Sequence, residues 1–197
     1  MSESIYASAE PSITLVRHGA TAWSKSGQHT SSTDIPLLPE GEDGARALAP
    51  ALATQHFVRV LCSPLLRARQ TCELAGLGER MEICEDLHEW RYGDYEGITG
   101  AAIRAERSDW LLWRDGCPGG ESPDEVNARV GRVIGSCVDS GGPVICFAHG
   151  HILRALAAVW SGFGIAGGQH LLLHPATISR LGHEHAGRVL ELWNSPA

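Results

Sequence analysis

Two imidazoles and two guanidinium groups stand at punctuated points of this chain. Arg17-His18-Gly19 closes the apolar run Ile13-Thr14-Leu15-Val16, and His149-Gly150-His151 closes a second run, Val144-Ile145-Cys146-Phe147-Ala148. Arg67 lies three residues beyond Pro64 in Ser63-Pro64-Leu65-Leu66-Arg67. A guanidinium is a planar fork of N–H donors, and two forks in one place match a phosphoryl group far better than a carboxylate. An imidazole attacks phosphorus only through an unprotonated ring nitrogen, so its other N–H needs an acceptor such as a backbone carbonyl. Gly19 lets the backbone turn sharply behind His18. His149 offers a second imidazole, able to donate to a phosphoryl oxygen as charge builds in the transition state. Taken singly, such a histidine is more often structural and such an arginine more often pairs with a surface acid. Their joint placement at strand and helix ends favours a site.

The elements that must position these groups follow from the same punctuation. Residues 13–16 and 58–62 read as short buried strands, and 144–148 as a strand covered on both faces. Ser63 is expected at the N-cap and Pro64 at the first turn of a helix whose apolar positions are Leu65, Ala68, Cys72 and Ala75, with Arg67 about one turn in. Helical side chains lean toward the N-terminus, where free N–H groups and the dipole favour an anion. A helical stretch from 150 to Trp160 follows His149. Ser122-Pro123-Asp124-Glu125 is a capping box, with Val126, Val130, Val133, Ile134 and Cys137 as the buried stripe behind it. Residues 44–53 look helical except that Pro50 demands a kink or an early stop. Residues 177–193 read as two strands around Gly182 to Gly187, a hairpin or a pair of edge strands. Strands alternating with helices imply an α/β fold, with ligands bound beyond the carboxyl ends of a mainly parallel sheet.

Composition narrows the function classes. At 197 residues one core suffices, and the expected organisation is a flexible leader over 1–11 followed by a single domain over 12–197. A net charge of −7 provides no basic field, so nucleic-acid and membrane-surface partners are disfavoured and an anionic substrate must be captured locally. No apolar stretch approaches a membrane span, and the N-terminus lacks a basic start followed by a long apolar run, so a cytoplasmic location is expected. The six cysteines form no C-x-x-C pair, which suits reduced core thiols. His183-Glu184-His185 and His149-Gly150-His151 are close histidine pairs, but neither has the i, i+4 spacing of H-E-x-x-H, so neither a metal nor another cofactor is expected.

Four segments, in order, carry a resemblance: Leu15-Val16-Arg17-His18-Gly19-Ala20-Thr21-Ala22-Trp23, Ser63-Pro64-Leu65-Leu66-Arg67-Ala68-Arg69-Gln70-Thr71, Glu89-Trp90-Arg91-Tyr92-Gly93-Asp94-Tyr95-Glu96-Gly97 and Ala148-His149-Gly150. Together they resemble the histidine phosphatase (phosphoglycerate mutase-like) superfamily over nearly the whole chain. In Trp23-Ser24-Lys25-Ser26-Gly27-Gln28-His29-Thr30 and in the segment from Glu89 to Gly97 the chain most resembles two hydrolase branches, sedoheptulose bisphosphatase and mycobacterial acid phosphatases. The resemblance implies a three-layer α/β/α sandwich and a transient phosphohistidine on His18. By the same resemblance Arg17, Arg67 and His149 bind phosphoryl oxygens, and Glu89 is the general acid. It also implies contacts to substrate from Ser24, Thr30 and Gly150, while Tyr92, Trp23, His29, Trp110 and Trp113 are candidate walls of the substrate pocket.

The same site chemistry serves a phosphatase or a mutase, depending on whether water or a second hydroxyl reaches phosphohistidine first. Family mutases grip the phosphoglycerate carboxylate with a lysine and an arginine pair; the corresponding places here hold Gly100 and Arg114-Asp115. The leading expectation is a phosphatase of small phosphorylated metabolites, sugar phosphates above all. A bisphosphoglycerate-dependent mutase and a non-catalytic phospho-ligand-binding module are the alternatives, and a homo-oligomer through the C-terminal strands stays open.

Overall fold

The computed structural model describes residues 11–196. In chain order the elements are β1 (Ile13–Arg17), α1 (Ala22–Ser26), α2 (Pro39–Ala47), α3 (Ala49–Ala53), β2 (Arg59–Cys62), α4 (Leu66–Leu74) and β3 (Met81–Ile83). There follow α5 (Gly100–Glu106), α6 (Leu112–Asp115), α7 (Pro123–Asp139), β4 (Val144–Ala148), α8 (Gly150–Trp160), β5 (Ile178–Glu184) and β6 (Gly187–Ser195). The six strands form one sheet in the order β3-β2-β4-β1-β5-β6. β3, β2, β4 and β1 run parallel, and β5 and β6 add an antiparallel margin.

Side chains alternate across a strand, and here both faces are covered. Ile13 and Leu15 of β1, with Val144 and Cys146 of β4, join one core, whereas Val16, Ile145 and Phe147 join the other. α7 and α8 pack on the first face and α2 to α4 on the second, which makes a three-layer α/β/α sandwich. The capping box is present on both sides: Ser122 Oγ accepts from the Glu125 N–H, and Glu125 accepts from the Ser122 N–H. All five apolar positions read as the stripe of α7 are buried. Around Pro50 the helix divides at Leu48 into α2 and α3, with the proline in the first turn of the second. β5 and β6 form the hairpin, closed through His185 at φ 55°. Most of the expected leader lies outside the described residues.

Two boundaries differ from expectation: the helical stretch expected from residue 44 already begins at Pro39, and the helix expected from Ser63 begins late. Leu65 is extended (φ −72°, ψ 138°), so α4 begins at Leu66, whose N–H donates to Asp34 Oδ1 at 2.7 Å, and Arg67 is its second residue. Ser63 is therefore not the N-cap, because its hydroxyl has a tertiary partner described below. Among the described residues no helix is long and apolar enough to cross a membrane. All six cysteines are free, and five of them are buried.

Candidate active site

The β1–β4 register sets Arg17 opposite Ala148, and the His18 N–H donates to the Ala148 carbonyl at 2.9 Å. The next residue on each strand is a histidine, so His18 and His149 stand side by side with ring centroids 5.2 Å apart. Behind them Gly19 crosses Gly41 so closely that a Cβ on Gly19 would sit 2.2 Å from the Gly41 carbonyl oxygen. The Gly19 N–H donates to Thr71 Oγ1 at 3.0 Å, tying the turn to α4. His18 Nδ1 lies 2.7 Å from the Gly19 carbonyl oxygen. A carbonyl only accepts, so Nδ1 carries the proton and Nε2 keeps its lone pair. Burial, and then the Arg17 and Arg67 charges, hold this imidazole well below the usual histidine range.

Arg67 is wholly buried and committed to the protein on three sides. Its Nε donates to His149 Nδ1 at 3.1 Å, Nη1 to the Thr33 carbonyl at 3.2 Å and Nη2 to the Thr30 carbonyl at 3.0 Å. Guanidinium never accepts, so the His149 proton is on Nε2, 2.7 Å from Ser63 Oγ. Both ring nitrogens of His149 are thus occupied, and donation to a phosphoryl oxygen requires Nε2–H to leave Ser63. Neither Arg67 nor His149 lines the open cavity, whereas Arg17, His18, Glu89 and Gly150 do. Arg17 donates through Nη1 to the Leu173 carbonyl, and its buried Nε has no partner among the described residues. A Cβ at Gly150 would lie 3.4 Å from that guanidinium, so the glycine leaves the fork its path.

Glu89 is 4% exposed and seated on backbone N–H groups. Oε1 accepts from Trp90 and Ile152 at 2.8 and 2.9 Å, and Oε2 accepts from His151 at 3.0 Å. The His151 and Ile152 N–H groups are orphan donors of the first turn of α8, where a carboxylate meets the positive end of the dipole. The acid is thereby fixed to the helix that His149 precedes.

A cavity of about 240 Å³ opens before these groups. Ser24 reaches it while its hydroxyl also serves the cap of α1, accepting from the Thr21 N–H at 2.9 Å. Thr30 lines it too, with Oγ1 donating to the Gln28 carbonyl at 3.0 Å. Trp23, His29 and Tyr92 form walls as expected; Trp110 and Trp113 do not. Those two indoles are buried behind the wall, edge-on to His29 and His151 at 5.7 Å each.

Several contributors escaped the sequence reading. Arg154 lines the cavity, donates to the Gly168 carbonyl at 3.0 Å and lies over the Trp113 ring at 4.9 Å. Its i, i+4 relation to Gly150 on a helix already foreseen was the available signal. Glu96 accepts from the Ser31 and Thr33 N–H groups at 2.8 and 3.0 Å, holding the turn whose carbonyls grip Arg67. Leu172 and Leu173 form an apolar lip that carried no signal. Among the described residues no group of three or more His, Cys, Asp or Glu side chains could hold a metal ion.

Comparison with known proteins agrees with this geometry. A model of the histidine phosphatase superfamily (branch 1) matches residues 13–196. An acid phosphatase of Mycobacterium tuberculosis is 37% identical over 182 residues, covering 90% of this chain and 89% of its own. A sedoheptulose 1,7-bisphosphatase of Saccharomyces cerevisiae is 36% identical over 190 residues, covering 80% of this chain and 70% of its own. The solved structure of a Mycobacterium tuberculosis open reading frame superimposes with a TM-score of 0.90 at 35% identity, covering 94% of this chain and 98% of that one. The chain belongs to the histidine phosphatase superfamily, branch 1.

Proposed function

We propose that the chain hydrolyses phosphomonoesters of small metabolites, sugar phosphates above all, through a phosphohistidine on His18 and without a metal. The observation that carries this reading is the His18 ring, with Nδ1 tied to the Gly19 carbonyl and Nε2 left as a lone pair, in a cavity also lined by Arg17, whose Nε has no partner among the described residues. Nε2 attacks phosphorus while the ester P–O bond breaks, and Glu89 protonates the departing alkoxide. Water then attacks phosphohistidine, losing its proton to the Glu89 carboxylate, and phosphate leaves. Arg17 supplies N–H donors to the equatorial oxygens as charge develops. Arg67 keeps two of its five donors uncommitted, and His149 adds Nε2–H once it exchanges Ser63 for a phosphoryl oxygen.

The acid phosphatase and the sedoheptulose 1,7-bisphosphatase among its relatives support hydrolysis of small phosphate esters. The cavity volume favours a metabolite over a macromolecular surface. A mutase reading is weakened at Arg114, which is paired with Asp115 at 2.7 Å and so is not free to grip a carboxylate. Six unpaired thiols accord with a reducing compartment such as the cytoplasm.

Phosphate release from p-nitrophenyl phosphate in excess chelator tests the reading. Turnover is expected to persist with chelator and to vanish in His18→Ala. Undiminished release by that variant excludes the nucleophile. Phosphate binding without turnover across a broad ester panel would restore the non-catalytic module.

A further inference from the structure

Two imidazoles on the cavity wall are left unused by the reaction above. His29 Nδ1 lies 2.8 Å from the Ile98 carbonyl oxygen, so Nδ1 donates and Nε2 is a bare acceptor. His151 Nδ1 lies 2.6 Å from the Tyr92 hydroxyl. Among the described residues that phenol has no other hydrogen bond, and a buried hydroxyl donates to whatever acceptor it can reach. His151 Nδ1 therefore accepts, and its Nε2 carries the proton. The wall thus presents one neutral N–H donor and one neutral nitrogen acceptor, on rings whose centroids are 6.1 Å apart. Two hydrogen bonds of about 2.8 Å meeting at one oxygen span such a gap.

We infer that His29 and His151 form a receptor for a hydroxyl group of the substrate, taking its proton at His29 Nε2 and donating to its oxygen from His151 Nε2. A hydroxyl is both donor and acceptor and matches the pair, whereas a carboxylate or a second phosphate has no proton for His29 and a hydrocarbon satisfies neither ring. Burial holds both imidazoles below the usual histidine range, so the pair stays uncharged at neutral pH and exerts no net pull on anions. Both rings are fixed. The His29 N–H donates to the Ile98 carbonyl at 3.0 Å, and the His29 carbonyl accepts from Gly97 at 2.8 Å. The His151 backbone N–H is the one bound to Glu89 Oε2, which sets the receptor beside the group that must reach the ester oxygen. The inference rests on the phosphatase reading and specifies its substrate as an alcohol-bearing phosphate ester.

The test compares ribose 5-phosphate, a furanose that carries several hydroxyl groups, with n-pentyl phosphate, which has the same number of carbons and no hydroxyl. The unaltered protein is expected to prefer ribose 5-phosphate by at least about tenfold in kcat/KM. His151→Phe and His29→Phe should each reduce that ratio toward one, and His151→Gln, which keeps an N–H donor, should retain more of it than His151→Phe. Equal turnover of the two esters by the unaltered protein overturns the inference, even if neither variant folds. An unchanged ratio in both variants overturns it as well. Failure of the unaltered protein to release phosphate from either ester, or from p-nitrophenyl phosphate, removes the phosphatase reading beneath it, which is a distinguishable result.

Discussion

At the scale of single residues, protonation states decide the chemistry. A histidine in water is half protonated near pH 6.5 and then cannot attack. Burial and two guanidiniums depress the His18 pKa, so its lone pair survives into more acidic solution. The acid limb of kcat/KM reports the free protein. After correction for the ester's own second ionisation, no inflection from His18 is expected near pH 6.5; one at that pH would show an ordinary imidazole. Glu89 gives a second expectation at this scale. With p-nitrophenyl phosphate the leaving group needs little protonation, so Glu89→Gln should still form phosphohistidine while water attack slows by about 10²–10⁴-fold. Acid-labile labelled protein should accumulate in rapid-quench experiments, and a variant that turns over without accumulating it would contradict the base role. Ser63 is a third case. Ser63→Ala strips the partner of a buried N–H and should cost about 1–3 kcal/mol in urea unfolding. It should also lower the inhibition constant for inorganic phosphate, because His149 then has no competitor for its proton.

At the scale of elements, local rules and distant contacts part company. The capping box at Ser122 was legible because both partners lie within one turn, and Ser122→Ala should cost about 1 kcal/mol, read as a lower urea midpoint with little change in kcat. Pro50 and the 182–187 hairpin were legible for the same reason, since a missing N–H and a turn act on their immediate neighbours. Ser63 was misread because Ser-Pro is also a helix-start pattern, and its true partner, His149, is 86 residues away. The Arg17, His18, Arg67 and His149 grouping could be placed at one sheet edge from strand order alone, but the Arg67–His149 and His149–Ser63 bonds could not. Glu96 shows the limit most plainly. It looks like surface acid, yet it carries the turn at 31–33 that carries Arg67. Both N–H groups reach Glu96 Oε1, so Glu96→Ala, which removes that acceptor, should lower kcat/KM about tenfold or more while far-UV circular dichroism is retained. Full activity would show that Arg67 needs no such support.

At the scale of the whole molecule, the buried imidazoles set the response to acid. His18, His149 and His151 all titrate well below the ordinary value in the folded chain, with burial the largest cause. Above about pH 6.5 both folded and unfolded chains hold them neutral, and no stability is lost. Below it the unfolded chain binds protons that the folded one refuses, so stability declines until the folded values are reached. Each group contributes up to ~1.4 kcal/mol per pH unit, and the three together up to ~4 kcal/mol. The urea midpoint should therefore drop sharply between pH 7 and 5.5, and an unchanged midpoint would show that these rings take up protons without unfolding.

The parallel pairing of β1 with β4 has a further consequence for lineages built on this frame. Each strand is only five residues long, and a histidine follows each directly. One inserted or deleted residue in either would turn its histidine to the opposite side of the sheet. Residues 97–122 contribute no strand to the sheet, so a change of length there leaves the β1–β4 register, and with it the positions of His18 and His149, untouched.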